Sequence, residues 1–204
     1  MSTRLDLKYR PKRLDEIIGH EKTVTKLKGL IASKQYPSCL FFSGPPSAGK
    51  TTFAYVFAAE VLGQGKEDFN VQHHPSFTEK NGADERTIES ARETIQLARR
   101  FPIDGKQRFI FIDEFQQILS NAHAVQAFLK SLEQPVPTTT WILATMEPEK
   151  FQVSTNGKAI LSRSMQFKLE APTKDDLKKQ AVRIIKGERL SFFTKDLLAA
   201  LIED

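Results

Sequence analysis

The chain holds a single cysteine, Cys39, among 204 residues. No intrachain disulfide and no cysteine zinc cluster can form within it, and a reducing, cytoplasmic setting is the expectation. No apolar run approaches the ~20 residues that a membrane helix needs. The opening stretch "MSTRLDLKYRP" lacks the apolar segment of a secretory signal. Repeats and low-complexity tracts are also missing. What is present is ordinary for a globular protein, with 40% hydrophobic and 27% charged residues. Phenylalanine is frequent, at 15 copies, so a substantial core is possible. The length suits one sizeable domain, or one domain and the beginning of a second.

The net charge of +5 is unevenly spread. Residues 1–50 carry ten Lys or Arg against four Asp or Glu, and the remainder carries twenty against twenty-one. An N-terminal basic excess suits an acidic partner such as a nucleotide or nucleic acid. A solvated basic face explains it equally well.

Apolar spacing predicts alternating strands and helices. "YRPKRLDEIIG" reads as an extended segment turning at Gly19, and "HEKTVTKLKGLIASK" as a helix. "QYPSCLFFSG" contains a buried strand ending at Phe42 or Ser43, and "KTTFAYVFAAEVLG" is a helix rich in alanine. Residues 66–83 are polar, with a short strand expected around "FNVQHH" and a loop after it. "DERTIESARETIQLARR" is strongly amphipathic. "QRFIFIDEF" and "TTTWILAT" read as strands buried on both faces. Between them "SNAHAVQAFLKSLEQP" has a Ser or Asn cap and a proline stop. "STNGK" falls in a loop, and "AILSRSMQFKLEAP" holds a short helix followed by a strand. After Pro172 the pattern turns wholly helical, through "TKDDLKKQAVRIIKGERL" and "TKDLLAALIED". Such alternation implies a parallel sheet covered by helices on both faces. The expected division is an α/β domain over residues 1–171 and the start of a helical domain over 172–204.

The stretch "FFSGPPSAGKTT" lies between a strand and a helix. Gly44, Gly49, Lys50 and Thr51 satisfy G-x-x-x-x-G-K-[ST]. The small or rigid residues Pro45, Pro46, Ser47 and Ala48 let the backbone curl until its N–H groups face a phosphate. The helix beginning near Lys50 adds its positive end. In this reading Lys50 reaches the β- and γ-phosphates of a nucleotide, and Thr51, followed by Thr52, offers its hydroxyl to Mg²⁺. The competing reading is a tight turn with no ligand.

A phosphate loop needs an acid to organise its magnesium. "FIFIDEF" ends a buried strand with two, at the edge where ligand crevices open in such sheets. Asp113 is expected to hold the metal and Glu114 to orient the attacking water. A solvated strand end is the alternative. The strand "TTTWILAT" ends at Thr145, whose hydroxyl could touch the γ-phosphate or the water, while Met146 is poorly suited to do so.

In order along the chain, "YRPKRLDEIIGHEKTV", "GPPSAGKTT", "DERTIESAR", "FIFIDEFQQILSNAHAVQAFLKSLEQP", "WILATMEPEKF" and "ILSRSMQFKL" cover most of residues 8–172. Together they resemble a AAA+ clamp-loader ATPase subunit. The resemblance is nearest to the bacterial DNA polymerase III gamma/tau subunit, with replication factor C small subunits somewhat further. It implies an ATPase module in an open ring with other loader subunits, which grips a sliding clamp and primer–template DNA when ATP is bound and releases them on hydrolysis. It implies that Tyr9, Arg10, Pro11, Ile17, Ile18 and Gly19 surround the adenine and ribose. Arg163, in "ILSRSMQF", matches the arginine finger that reaches a neighbouring subunit's ATP. Arg86 and Arg92 match arginines that touch DNA phosphates, contacts that are salt-dependent and nearly blind to sequence.

The chain departs from that family pattern at several places. Ser164 replaces a common cysteine, and Met146 stands where a polar sensor is usual. The zinc cysteines of gamma/tau are missing, and the adjacent His73 and His74 make a poor zinc site. The helical lid is expected to continue past residue 204 and to carry a second sensor arginine there. Two other readings stay open. One is a ring subunit that binds nucleotide with little turnover. The other is a different AAA+ motor, such as a helicase loader or a Holliday-junction motor.

Overall fold

A computed structural model describes residues 4–63, 69–102 and 107–189. The elements in chain order are α1 (Leu5–Lys8), α2 (Glu21–Ser33), β1 (Cys39–Ser43), α3 (Lys50–Gly63), β2 (Phe77–Asn81), α4 (Ile88–Arg99), β3 (Arg108–Asp113), α5 (Ala122–Glu133), β4 (Thr139–Thr145), α6 (Pro148–Val153), α7 (Thr155–Ser162), β5 (Met165–Lys168) and α8 (Lys174–Glu188).

The five strands form one parallel sheet in the order β2-β3-β4-β1-β5. The central strands carry apolar residues at nearly every position because each face has its own core. Successive side chains alternate between them. Leu40 and Phe42 of β1, Phe109 and Phe111 of β3, and Ile142 and Ala144 of β4 enter one cluster with Phe53 and Phe57 of α3. Phe41, Ile110, Ile112, Trp141 and Leu143 enter the other, with Ala91 and Ile95 of α4 and Phe128 of α5. Helix α3 lies within the first core, which explains why it is apolar over most of its surface.

Local signals set several boundaries. Asn121 caps α5 by accepting from the His123 and Ala124 backbone N–H groups. Thr173 and Asp176 form a reciprocal capping box at the start of α8.

Elsewhere the structure corrects the reading. Val71–His73 is a 3₁₀ turn, and the strand of this region is β2, further along at Phe77–Asn81. Only its first residue, Phe77, is fully buried, so an edge strand reading "FTEKN" carries little apolar signal. It is placed by parallel pairing, Phe77 opposite Phe109. "STNGK" opens a helix instead of forming a loop, because the Ser154 hydroxyl accepts the Gly157 N–H. Asp84–Arg86 is a separate 3₁₀ turn, and Thr87 caps α4 behind it. The N-terminal segment contains α1 and a 3₁₀ turn at Leu14–Glu16 rather than being extended throughout. The expected helix in "TKDLLAALIED" lies outside the described residues.

Candidate functional site

Between β1 and α3 the chain makes a tight turn. The Gly44 N–H donates to the Thr145 carbonyl at 3.2 Å, which fastens the loop to the end of β4. A Cβ at Gly44 would collide with the Leu169 carbonyl oxygen beside it. Gly49 has φ +89°, where only glycine is at ease. Ser47 also takes the left-handed conformation. The loop then enters α3, and the Phe53 N–H closes the first turn on the Gly49 carbonyl at 2.8 Å.

Lys50 begins α3 and is 7% exposed. Its Nζ donates to the Gly44 carbonyl at 2.8 Å and the Pro45 carbonyl at 2.7 Å. Burial pushes its pKa down, while the Asp113 carboxylate opposes that shift. The Thr51 hydroxyl donates to Asp113 Oδ2 at 3.1 Å. The other carboxylate oxygen, Oδ1, accepts the Glu114 N–H at 2.8 Å. A hydroxyl and a carboxylate side by side are hard oxygen donors, the set that suits magnesium. The loop and Lys50 likewise suit a phosphate chain.

Glu114 follows Asp113 in the left-handed conformation, with φ 49°. For a residue with a side chain this backbone costs about 1–2 kcal/mol. It turns the chain sharply out of β3 into the 3₁₀ segment Phe115–Ser120.

Thr145 is fully buried at the end of β4. Its hydroxyl donates to Gln116 Oε1 at 2.8 Å and accepts the Glu147 N–H at 3.0 Å. That hydroxyl is therefore engaged within the protein, whereas Met146 beside it is 38% exposed. Gln116 has no conspicuous sequence pattern, and only the fold reveals it as the partner of Thr145.

Beside the loop lies a slot of about 240 Å³. Pro11, Ile17 and Ile18 line it from the N-terminal segment, and Ser47, Ala48, Gly49, Thr52 and Phe53 from the loop and α3. From α8 come Asp176, Leu177 and Gln180, which the sequence reading did not single out. Their i, i+1, i+4 spacing marks one helix face, but only packing shows which face meets the slot. Gly19 lies at its margin, within reach of the Asp176 carboxylate. Tyr9 and Arg10 fall outside the lining. The Tyr9 hydroxyl meets Gly187 and Glu188 of α8, and the Arg10 guanidinium sits 5.4 Å from the centre of the Tyr55 ring.

Ion pairs hold α8 over that segment. Arg183 donates to Glu16 Oε2 at 2.8 Å, and Lys8 donates to Glu188 Oε1 at 2.6 Å. The Leu14 N–H donates to Glu60 of α3 at 2.6 Å, which anchors the segment from the other side.

Arg163 ends α7. Its guanidinium donates to Glu133 Oε1 of α5 at 2.8 Å and to the Ala159 carbonyl at 2.8 Å. Arg86 donates to the Ala83 carbonyl at 2.9 Å. Arg92 lines a separate open groove between α4 and α5 with Arg99, His123 and Lys130. Arg86 does not line that groove. His73 and His74 sit at a 3₁₀ turn, with the Ser76 N–H donating to His74 Nδ1. Among the described residues no helix is long and apolar enough to cross a membrane.

A family profile described as "DNA polymerase III, delta subunit" matches residues 19–173. The replication factor C small subunit of Archaeoglobus fulgidus is 34% identical over 197 residues, covering 96% of this chain and 57% of its own length. Its counterpart in Methanosarcina barkeri is 33% identical over 199 residues, covering 97% and 53%. The chain thus spans a little over half the length of these curated relatives. Among solved structures, the Thermotoga maritima RuvB Holliday junction branch migration motor superposes with a TM-score of 0.66 at 23% identity, over 89% of this chain and 55% of that one. That likeness is one of fold. With the strand–loop–helix phosphate cradle and its facing acid already in place, the chain belongs to the DNA polymerase III delta subunit family and is an AAA+ protein of the clamp-loader type.

Proposed function

We propose that this chain is the ATP-hydrolysing module of a sliding-clamp loader subunit that acts with other loader subunits on primer–template DNA. The observation that carries the reading is the pairing of Thr51 with Asp113 at the mouth of the phosphate loop, 3.1 Å apart. The family match and the archaeal relatives support the loader assignment.

In this function the second half of the loop, from Ser47 to Gly49, cradles the β-phosphate with its backbone N–H groups, since Pro45 and Pro46 carry none and that of Gly44 is bonded to Thr145. Lys50 turns from the loop carbonyls toward the phosphate chain. Thr51 and Asp113 would hold Mg²⁺, which when bound neutralises charge between the β- and γ-phosphates. Glu114, on the sharp turn after β3, orients the attacking water and accepts its proton. Arg163 serves a neighbouring subunit's nucleotide, where a guanidinium offsets charge developing on the γ-phosphate. For that it must exchange Glu133 for the neighbour's phosphate. Arg86 and Arg92 meet DNA phosphates without reading bases.

The experiment is a nucleotide-binding titration with and without magnesium, followed by ATPase assays with partner subunits, clamp and primer–template DNA. Magnesium-dependent ATP binding and stimulated hydrolysis support the reading. No ATP binding by the intact protein overturns it.

One observation favours a second reading, in which the subunit binds nucleotide but turns it over slowly. The Thr145 hydroxyl is committed to Gln116 and Glu147, and Met146 has no polar group to offer. ATP binding without any stimulation in the full assembly would select it. Capture of a sliding clamp separates either reading from another AAA+ DNA motor.

A further inference from the structure

We propose that Asp176 and Gln180 of α8 read the hydrogen-bonding edge of the base and select adenine, an inference that rests on the slot beside the loop being part of a nucleotide site. The slot holds about 240 Å³, less than the ~300–1,000 Å³ of a pocket for a whole ligand. It therefore suits one portion of a nucleotide, with the phosphates on the open loop next to it. Its walls are mostly apolar, from Pro11, Ile17, Ile18 and Leu177. They can grip any base by its faces and cannot tell one from another.

Discrimination needs polar groups. His20, Ser47 and Thr52 line the slot from the N-terminal segment, the loop and α3, and α8 adds two more, one helical turn apart on the same face. Among the described residues Asp176 is the only acidic one in the lining. Its Oδ2 is occupied, accepting the Thr173 N–H at 3.1 Å and the Thr173 hydroxyl at 2.7 Å. Those bonds, with the charge of Lys179, hold its pKa below the usual carboxylate value, so it remains an acceptor at neutral pH. Oδ1 takes no part in the capping box and, among the described residues, accepts no other bond. Gln180 brings an amide that can donate. An acceptor next to a donor complements the 6-amino group and N1 of adenine. Hypoxanthine presents the reverse, a 6-oxo acceptor and an N1–H donor. A pocket built to hydrogen-bond one pattern rejects the other by leaving its polar groups unpaired.

The test is competition among ATP, ITP and purine riboside triphosphate, with magnesium, on the intact protein. The wild type should bind ATP about tenfold or more tightly than ITP, the effect of a hydrogen bond to a charged group. Asp176→Ala should bring that ratio to within about twofold. Asp176→Asn can keep the Thr173 bond through its carbonyl and present an N–H to the slot, so it should shift preference toward ITP. Thr173→Ala breaks the cap and should leave the ratio unchanged, which separates base reading from helix stability. A wild type that binds both nucleotides equally overturns the proposal, as does an Asp176→Asn variant with the wild-type ratio. If the wild type binds none of the three, the nucleotide site itself is refuted. If it binds ATP while the ratio is indifferent to Asp176, only the base-reading role is refuted.

Discussion

Thr51 and Asp113, 62 positions apart in the chain, meet hydroxyl to carboxylate at 3.1 Å. One lies in the first turn of α3 and the other at the end of β3, two strands away from β1 across the sheet. Removing the hydroxyl with Thr51→Val should weaken magnesium-dependent ATP binding about tenfold and leave binding in EDTA nearly unchanged. Equal loss in both conditions would mean that Thr51 serves the loop's shape and not the metal.

The Arg163–Glu133 pair is half in solvent, with side chains 34% and 51% exposed. Glu133→Ala should therefore change folding stability by less than about 1 kcal/mol. Arg163→Ala should spare ATP binding by its own chain, yet lower hydrolysis in the assembly by about 10³-fold or more. Loss of binding in the isolated chain would tell against a role in a neighbour's site.

Thr145→Val keeps the shape of a buried side chain but removes both bonds of its hydroxyl. Gln116 Oε1 loses its donor and the Glu147 N–H its acceptor. The expected cost is about 1–3 kcal/mol by urea unfolding. A change below about 0.5 kcal/mol, the range of ordinary surface substitutions, would show that the groups find other partners.

Phe42 is fully buried and stacks on Phe53 and Phe167, at 5.9 and 5.1 Å between ring centres. Phe42→Ala should cost about 3–5 kcal/mol through lost burial and the cavity left behind. Phe101 is 73% exposed, and Phe101→Ala should shift stability by no more than about 0.5 kcal/mol. Parallel denaturant titrations check the contrast.

The attachment of α8 should weaken in acid. Burial alone would raise the Glu16 pKa, but hydrogen bonds from Arg183 and the Lys12 N–H hold it below its ordinary value of 4.5. Glu188 is lowered by hydrogen bonds from Lys8 and then Tyr9. A carboxylate with a depressed folded pKa stabilises fully above its unfolded pKa, and that contribution is lost as pH falls through the folded value. Amide exchange in α8 should be steady from about pH 7 to 5, after correction for intrinsic rates, and quicken below about pH 4.5. Glu16→Gln should flatten that response, and weakening that begins near neutrality would assign it to other groups.

Sequence alone determined the elements whose chemistry is local. The glycines of "GPPSAGKTT" allow the tight turn because few other residues tolerate its backbone. The doubly apolar runs of β1, β3 and β4 can be stable only with helices over both faces. Asn121 and Thr173 start their helices because a side-chain oxygen meets an N–H two or three residues on. Tertiary structure decided what depends on groups distant in the chain. It made a strand of the polar stretch Phe77–Asn81, which pairing with β3 holds in place. It closed the Thr145 hydroxyl onto Gln116, and it moved Tyr9 and Arg10 out of the slot's lining. It turned the Asp176 and Gln180 face of α8 toward the phosphate loop. Hydrogen bonding and apolar spacing along one segment are properties of that segment, whereas which side chains share a cavity is set by how all the segments pack.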